Sequence, residues 1–152
     1  MKVFVLLAAA VFGLNSCQKN KEERAVDTTQ LTGTWELRQV QAGMIPATNL
    51  AAGNGNLLTF TETTYERFAN GSLQKSGTYQ LLHDTTATAT VGLQLPAGQF
   101  NIRLVFDNDG STQKTFIDLR EGRLQVVSGY FPTDGGSWQV YEKTTDAPKS
   151  VQ

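Results

Sequence analysis

Short segments in which apolar and polar residues alternate constrain the fold of this chain more than any other feature. The clearest is Ile102, Leu104 and Phe106, with Arg103 and Val105 on the opposite face. Alternation with a period of two is typical of a β-strand that buries one face. Similar segments contain Trp35 and Leu37, Leu58 and Phe60, Tyr65 to Phe68, Tyr79 and Leu81, Val91 to Leu95, Ile117 and Leu119, Leu124 and Val126, and Trp138 and Val140. The pattern predicts about eight or nine short strands.

The breaks between these segments indicate how the strands connect. Asn70-Gly71 and Asp109-Gly110 predict tight hairpin turns, and Glu121-Gly122 predicts a third, because such residues tolerate positive φ. No window of the mature chain shows the apolar stripe of a long helix. We therefore predict an all-β fold, an antiparallel up-and-down β-barrel of about eight strands, with a β-sandwich as the alternative. Ala42 to Asn56 is the longest irregular connection, with room for one helical turn, and is a candidate lid.

The first residues predict export and a lipid anchor. A positive start is followed by an apolar run from Val3 to Leu14, too short to span a bilayer. Leu14-Asn15-Ser16-Cys17 resembles the lipobox of bacterial lipoproteins, and the resemblance implies cleavage after residue 16 and lipidation of Cys17. The alternative is an ordinary signal peptide with a chance cysteine. Membrane contact is expected through the lipid anchor only.

The chain divides into four predicted segments. Residues 1–16 are the signal peptide, and 17–30 are the lipidated cysteine with a polar, flexible tether. Residues 31–143 form the barrel domain, and 144–152 a disordered tail. Lysines and an acidic pair behind Cys17 resemble signals that direct lipoproteins to the cell surface. The expected location is the bacterial outer membrane, facing the periplasm or the cell surface.

A motif at the start of the first predicted strand resembles that of a known family. Leu31-Thr32-Gly33-Thr34-Trp35-Glu36-Leu37 resembles the Gly-x-Trp opening strand of lipocalin-like domains. The segments Leu57 to Phe60, Ser76 to Tyr79 and Tyr141 to Lys143 resemble later strands of bacterial lipocalin-like lipoproteins, in the same order. The resemblance covers residues 31–143.

Gly33, Trp35 and Lys143 are the predicted barrel floor. A glycine before a buried tryptophan lets the chain turn sharply under the end of a barrel, and the indole fills that end. The lipocalin resemblance implies a cation from the last strand packed across this indole. Lys143 is the candidate near that position, where an arginine is absent. The alternative for Trp35 is a core tryptophan of some other β fold.

The interior of the barrel is the predicted ligand site. An eight-stranded barrel can be filled by side chains or can hold one small ligand. We predict that a small apolar ligand contacts five residues of the inner face: Phe60, Tyr79, Leu104, Phe106 and Val126. The alternative is an envelope protein with a filled barrel, whose loops Ala42 to Asn56 and Tyr130 to Gly136 meet a protein partner.

Other function classes lack the residues that they need. The net charge is −1 and the Lys and Arg residues form no stripe, so no nucleic-acid partner is expected. His83, the only histidine, lies in a predicted loop, and no nucleophile–base pair accompanies it. Asp107-Asn108-Asp109-Gly110 does not extend to a calcium-loop pattern. We expect neither an enzyme, nor a metal, nor a cofactor.

Overall fold

The computed structural model describes residues 28–110 and 113–145. Nine strands carry almost the whole fold; eight of them contain predicted alternating segments, and the short β2 is additional. They are β1 (Gly33–Ala42), β2 (Thr48–Asn49), β3 (Leu57–Phe60), β4 (Thr64–Ala69), β5 (Ser72–His83), β6 (Ile102–Phe106), β7 (Thr115–Arg120), β8 (Arg123–Ser128) and β9 (Ser137–Thr144). A five-residue helix, α1 (Ala87–Val91), follows β5, and a 3₁₀ turn (Phe131–Thr133) precedes β9.

The strands close into a barrel. Apart from β2, each pairs antiparallel with its neighbour in the chain, and β1 also pairs with β9, which joins the two edges. Eight strands form this wall, and the short β2 pairs with β1 beside it. Closure pairs the first and last strands of the wall, which would otherwise be its two edges. The predicted all-β, up-and-down, lipocalin-like barrel is confirmed.

The two ends of the barrel differ. We call the end where β1 begins and β9 finishes the plug end, and the end where β1 finishes and β9 begins the mouth. The connections at the plug end are 61–63, 84–101 and 121–122. Those at the mouth are 43–56, 70–71, 107–114 and 129–136. The candidate-site residues can be placed relative to these two ends.

Inside the barrel, one apolar cluster fills the half toward the plug end. Its buried members come from β1 and β3 to β9 and from the turn before β1. They are Leu31, Trp35, Leu58, Phe60, Tyr65, Tyr79, Leu81, Leu104, Ile117, Leu124, Val126 and Tyr141. Each lies on the inner face of its strand, so the hydrophobic effect fixes the register of the whole wall.

A second apolar cluster lies outside the barrel. The connection 84–101 folds over outward-facing residues of β7, β8 and β9, and we call it the strap. The cluster contains Ala87, Val91, Leu95, Phe100, Phe116, Val127 and Phe131, with Leu93 and Trp138 packed against it. The predicted strand from Val91 to Leu95 is therefore wrong, because these residues end α1 and continue as a loop whose apolar side chains cover the outer wall.

The turns show where local sequence decides the backbone. Asn70 and Gly71 have φ of 51° and 80°, and Glu121 and Gly122 have φ of 52° and 73°. Two of the three predicted hairpin turns are thus confirmed. The predicted turn at Asp109-Gly110 is wrong, since the left-handed residues after β6 are Asp107 and Asn108. These two residues start a longer connection instead of a two-residue turn.

The connection 43–56 forms no lid and no helical turn. Its second half runs beside β1 and extends the wall: Leu50 N donates to Arg38 O (2.8 Å), and Leu37 N donates to Asn56 O (2.9 Å). The Asn54 amide donates to the carbonyl of Leu37 (2.8 Å). Backbone N–H and C=O groups of β1 that β3 does not pair are hydrogen-bonded in this way. The second half of the connection is therefore part of the barrel wall, and residues 43–47 project at the mouth.

The strands of the barrel lie between Gly33 and Thr144. β9 ends at Thr144, one residue beyond the predicted end of the domain. The signal peptide, Cys17 and most of the tether and tail lie outside the described residues. No helix among the described residues is long and apolar enough to cross a membrane.

Candidate functional site

The plug end is built around Trp35. Its side chain is 1% exposed, and its indole N–H donates to the carbonyl of Leu31 (2.7 Å). Leu31 N in turn donates to Thr28 O (3.0 Å), so a turn before β1 folds Leu31 into the same cluster. A buried indole needs such a partner for its N–H. Trp35 and the preceding turn therefore close this end together.

Lys143 covers the plug from β9. It pairs with Trp35 across the β1–β9 ladder, and its Nζ lies 5.2 Å from the centroid of the indole, within cation–π range. Gly33 makes room for it: a Cβ on Gly33 would lie 2.8 Å from Lys143 Cε. The φ of Gly33 is 126°, a conformation that L side chains rarely adopt. The structure thus brings together the three residues predicted as the floor.

The five residues predicted to line a ligand site all lie on the inner face. Phe60, Tyr79, Leu104 and Val126 belong to the buried cluster, and Phe106 is half-buried against it. Phe60 and Tyr79 pack edge to face with centroids 4.9 Å apart. Aromatic contacts of this kind fill space that a ligand would otherwise take. The half of the barrel around Phe60 and Tyr79 is therefore core.

Toward the mouth the inner face changes character. Residues directly opposite each other on paired strands share a face, so partners of core residues also point inward. Gln139 pairs with Val126, Arg67 pairs with Leu58, and Thr115 pairs with Leu104. Of these inward positions, Arg67 is exposed and the other two are half-buried. The inner wall at the mouth is thus polar and open to solvent.

We call this open half the cup. Its wall includes Val40, Arg67, Lys75, Thr115, Ser128, Ser137 and Gln139, and its floor is formed by Phe106, Val126 and Tyr141. None of these wall residues is buried. The ring of Phe106 packs on that of Tyr65, with the centroids 4.4 Å apart and the planes tilted by 55°. A small-ligand site usually combines apolar surface with a few polar side chains, and the inward residues of the cup offer both.

Arg67 is the cation of the cup that lacks an acidic partner among the residues that the structure describes. It lies close to Tyr141, which projects from the far side of the barrel and whose hydroxyl donates to Gln139 Oε1 (2.8 Å). Burial raises the pKa of Tyr141, and the charge of Arg67 opposes that rise. The phenol therefore stays protonated near neutral pH, and the guanidinium keeps hydrogen-bonding capacity for a ligand.

A second charged group of the cup is already paired. Lys75 Nζ lies 2.8 Å from Asp107 Oδ2, and the hydroxyl of Tyr65 donates to the same oxygen (3.1 Å). Thr78 N donates to Asp107 Oδ1 (3.1 Å). The hydrogen bond from Lys75 lowers the pKa of Asp107. Gly77 permits this arrangement, since a Cβ there would collide with the Asp107 carboxylate.

Sequence reasoning missed the polar half of the site. Arg67 lies two residues after the inward Tyr65 on β4, so a period of two would have placed it inside. Counting back by two from the inward Tyr141 on β9 places Gln139 inside the barrel. Trp138 then faces outward, and its ring centroid lies 5.5 Å from that of Phe100. The signal was present in the alternation, but only apolar positions were followed.

Side chains suited to other chemistry are scattered. His83 is the exposed last residue of β5 and not a loop residue as predicted, because it pairs with Ile102. Among residues 28–110 and 113–145, no three His, Cys, Asp or Glu side chains group as metal ligands would. No family model, no curated protein and no solved structure matches this chain.

Proposed function

We propose that this chain is a lipid-anchored, lipocalin-like lipoprotein of the bacterial outer membrane that binds a small amphipathic ligand in the cup. The observation that carries the proposal is the change along the inner face. Buried apolar residues fill the plug half, whereas the inward positions of the mouth half are polar and accessible. A barrel that served only as a packed scaffold would have no need of a polar inner wall.

The side chains of the cup define the chemistry of the ligand. Arg67 offers a planar guanidinium, which suits a carboxylate or a phosphate. Phe106 and Val126 offer an apolar floor below it. We therefore refine the apolar ligand expected from the sequence to one with an apolar tail and an anionic head. The tail rests on the floor, and the head meets Arg67.

Dodecanoate is a suitable probe for this site. The chain from residue 17 onward, with Cys17→Ala to prevent lipidation, contains every described element of the barrel. Calorimetric titration should give saturable binding, and Arg67→Gln should weaken it about tenfold or more, the value of one hydrogen bond to a charged group. Glu66→Gln is the matched control, because Glu66 is exposed on the outer face of the same strand. Equal binding by wild type and Arg67→Gln would refute the proposal.

The lipid anchor has its own test. The layout of residues 1–17 supports lipidation of Cys17, and a diacyl group is enough for stable attachment. Metabolic labelling with a fatty-acid analogue should mark the wild type, and Cys17→Ala should lose both the label and the membrane association. A labelled, membrane-bound Cys17→Ala variant would overturn the lipoprotein assignment. Accessibility of the wild type to protease on intact cells separates the cell surface from the periplasm.

A protein partner is the second candidate function. Met44 and Ile45 are adjacent at the mouth and are 63% and 60% exposed, and Tyr130 is 46% exposed on another mouth connection. Large exposed apolar side chains on loops are typical of contact surfaces. Under this reading, Met44→Ser with Ile45→Ser should abolish a complex seen on native gels of envelope extracts without changing dodecanoate binding. A complex of unchanged size would count against this second function.

A further inference from the structure

We propose that the barrel carries a second ligand site, in a cleft of about 300 Å³ through its wall at the plug end, which takes a short-chain molecule with a neutral hydrogen-bond-donating head. Its apolar surface comes from Leu81, Ile102, Ile117 and Leu119. Asp118 and Arg120 lie at its rim, and the turn before β1 and the strap complete it. This site is separate from the cup and does not depend on the proposed ligand there.

The cleft exists because β6 starts late. The β6–β7 ladder begins at the pair Ile102–Ile117, so residues 118–120 of β7 have no β6 partner beside them. The strap partly fills the position beside residues 118–120, where Arg120 Nη2 donates to the carbonyl of Gly98 (2.9 Å). The missing strand length leaves a gap that opens from the surface onto inward-facing side chains of β5 to β7. A small apolar tail can enter the barrel by this route without passing through the cup.

Asp118 gives the cleft its polar specificity. Its side chain is 9% exposed on the outer face of β7. Arg120 Nε lies 2.9 Å from Oδ2, yet its N–H is directed at Oδ1, to which it donates (3.1 Å). Oδ2 is buried and receives no hydrogen bond from the described residues. Buried polar atoms normally accept a hydrogen bond, so Oδ2 is ion-paired with Arg120 but keeps lone-pair capacity for a donor that enters the cleft.

The charges around Oδ2 select the head group. The Asp118 carboxylate disfavours an anion, and the neighbouring Arg120 guanidinium disfavours a cation. A hydroxyl donates one hydrogen bond without adding charge, so an alkyl alcohol satisfies both the free oxygen and the apolar surface. The volume of the cleft is at the lower end of small-molecule sites, which limits the tail to a short chain.

The test compares three probes with the same apolar tail: 1-octanol, octanoate and 2-octanone. Backbone amide shifts of the chain from residue 17 with Cys17→Ala are followed by NMR. Octanol should shift Leu119 and its neighbours in a saturable way. Octanoate and 2-octanone should bind there about tenfold more weakly or worse, because neither donates a hydrogen bond to a carboxylate.

Two variants and a control complete the experiment. Leu119→Trp fills the cleft from a half-buried position and should abolish the octanol shifts. Asp118→Asn places an amide N–H₂ toward the cleft, while its carbonyl still accepts from Arg120. An amide N–H₂ donates to a ketone and to a hydroxyl alike, so the affinity difference between octanol and 2-octanone should largely disappear. Arg67→Gln in the cup should leave octanol binding unchanged, which separates this site from the cup. Octanol shifts that persist in Leu119→Trp would overturn the proposal, and so would a preference for octanol over 2-octanone that is unchanged in Asp118→Asn.

Discussion

Replacing Gly33 by alanine is predicted to destabilise the barrel through two separable effects at the plug end. The φ of 126° is strained for any L side chain, which costs about 1–3 kcal/mol. The new Cβ would also lie 2.8 Å from Lys143 Cε, so the lysine must leave the indole. The lost cation–π contact is worth about 0.5–1 kcal/mol for an exposed lysine. The sum predicts a loss of about 1.5–4 kcal/mol from a total of about 5–15 kcal/mol.

A double-mutant cycle separates the two effects. Urea unfolding of Gly33→Ala, Lys143→Ala and the double variant gives three free energies of unfolding. In the Lys143→Ala background the clash and the cation–π contact are already gone, so Gly33→Ala should show only the backbone strain. The two losses should therefore fall short of additivity by about 0.5–1 kcal/mol. Fully additive losses would refute the contact, and a Gly33→Ala variant as stable as the wild type would refute the strained backbone.

Three further perturbations test other parts of the structure. Trp35→Ala should cost about 3–5 kcal/mol and leave a poorly folded chain by circular dichroism, whereas unchanged stability would contradict its role as the plug. Phe100→Ala should cost a similar amount and expose the strap to limited proteolysis; a strap that stays protected would show that Phe100 does not hold it. Burial would raise the pKa of Asp84, but hydrogen bonds from Lys114 and Thr86 outweigh it and lower the pKa to about 2. Because the pKa of Asp84 is lower in the folded chain than the unfolded value near 3.8, its ionised form stabilises the fold at pH above about 3.8. This stability is lost as the pH falls through about 2. Lys114→Met should therefore lower the free energy of unfolding by about 1 kcal/mol at neutral pH, after allowance for solvent screening, and should not lower it below pH of about 2. Urea unfolding across this pH range measures both values. A loss that does not change with pH would contradict the ion pair between Lys114 and Asp84.

The barrel itself could be predicted from the sequence, because its strands and hairpin turns are specified by residues that are close together in the chain. In Ile102, Leu104 and Phe106 the alternation fixes which face is buried, and Asn70-Gly71 fixes the hairpin through its positive φ. Most strands of the barrel have one face on a single core, so a period of two is enough to find them. The resulting register also placed all five predicted lining residues on the inner face.

The strap could not be predicted in the same way. Val91 and Leu95 are apolar because they cover the outer wall, and their spacing resembles that of a strand. Phe116 on β7 is likewise fully buried although it points away from the barrel interior. Which outward residues are covered depends on where a connection folds back, and this is decided by tertiary packing, which local alternation does not contain.

The open half of the barrel was hidden for a different reason. Polar residues within a strand pattern were taken to face solvent outside the barrel, whereas Arg67 and Gln139 face solvent inside it. Solvent-accessible polar residues on the inner wall depart from the expectation that inward-facing residues are apolar. Departures from local patterning are expected at functional surfaces, and this one is the basis of the proposed cup site.

Bound dodecanoate can be located on the isotope-labelled chain through intermolecular nuclear Overhauser effects, which show directly whether the cup holds an amphipathic anion. Binding in the cup predicts contacts from the alkyl tail to the methyl groups of Val126 and the ring of Phe106. It also predicts the carboxylate end near Arg67. Contacts confined to outward-facing residues such as Val140, or no contacts at saturating dodecanoate, would contradict it.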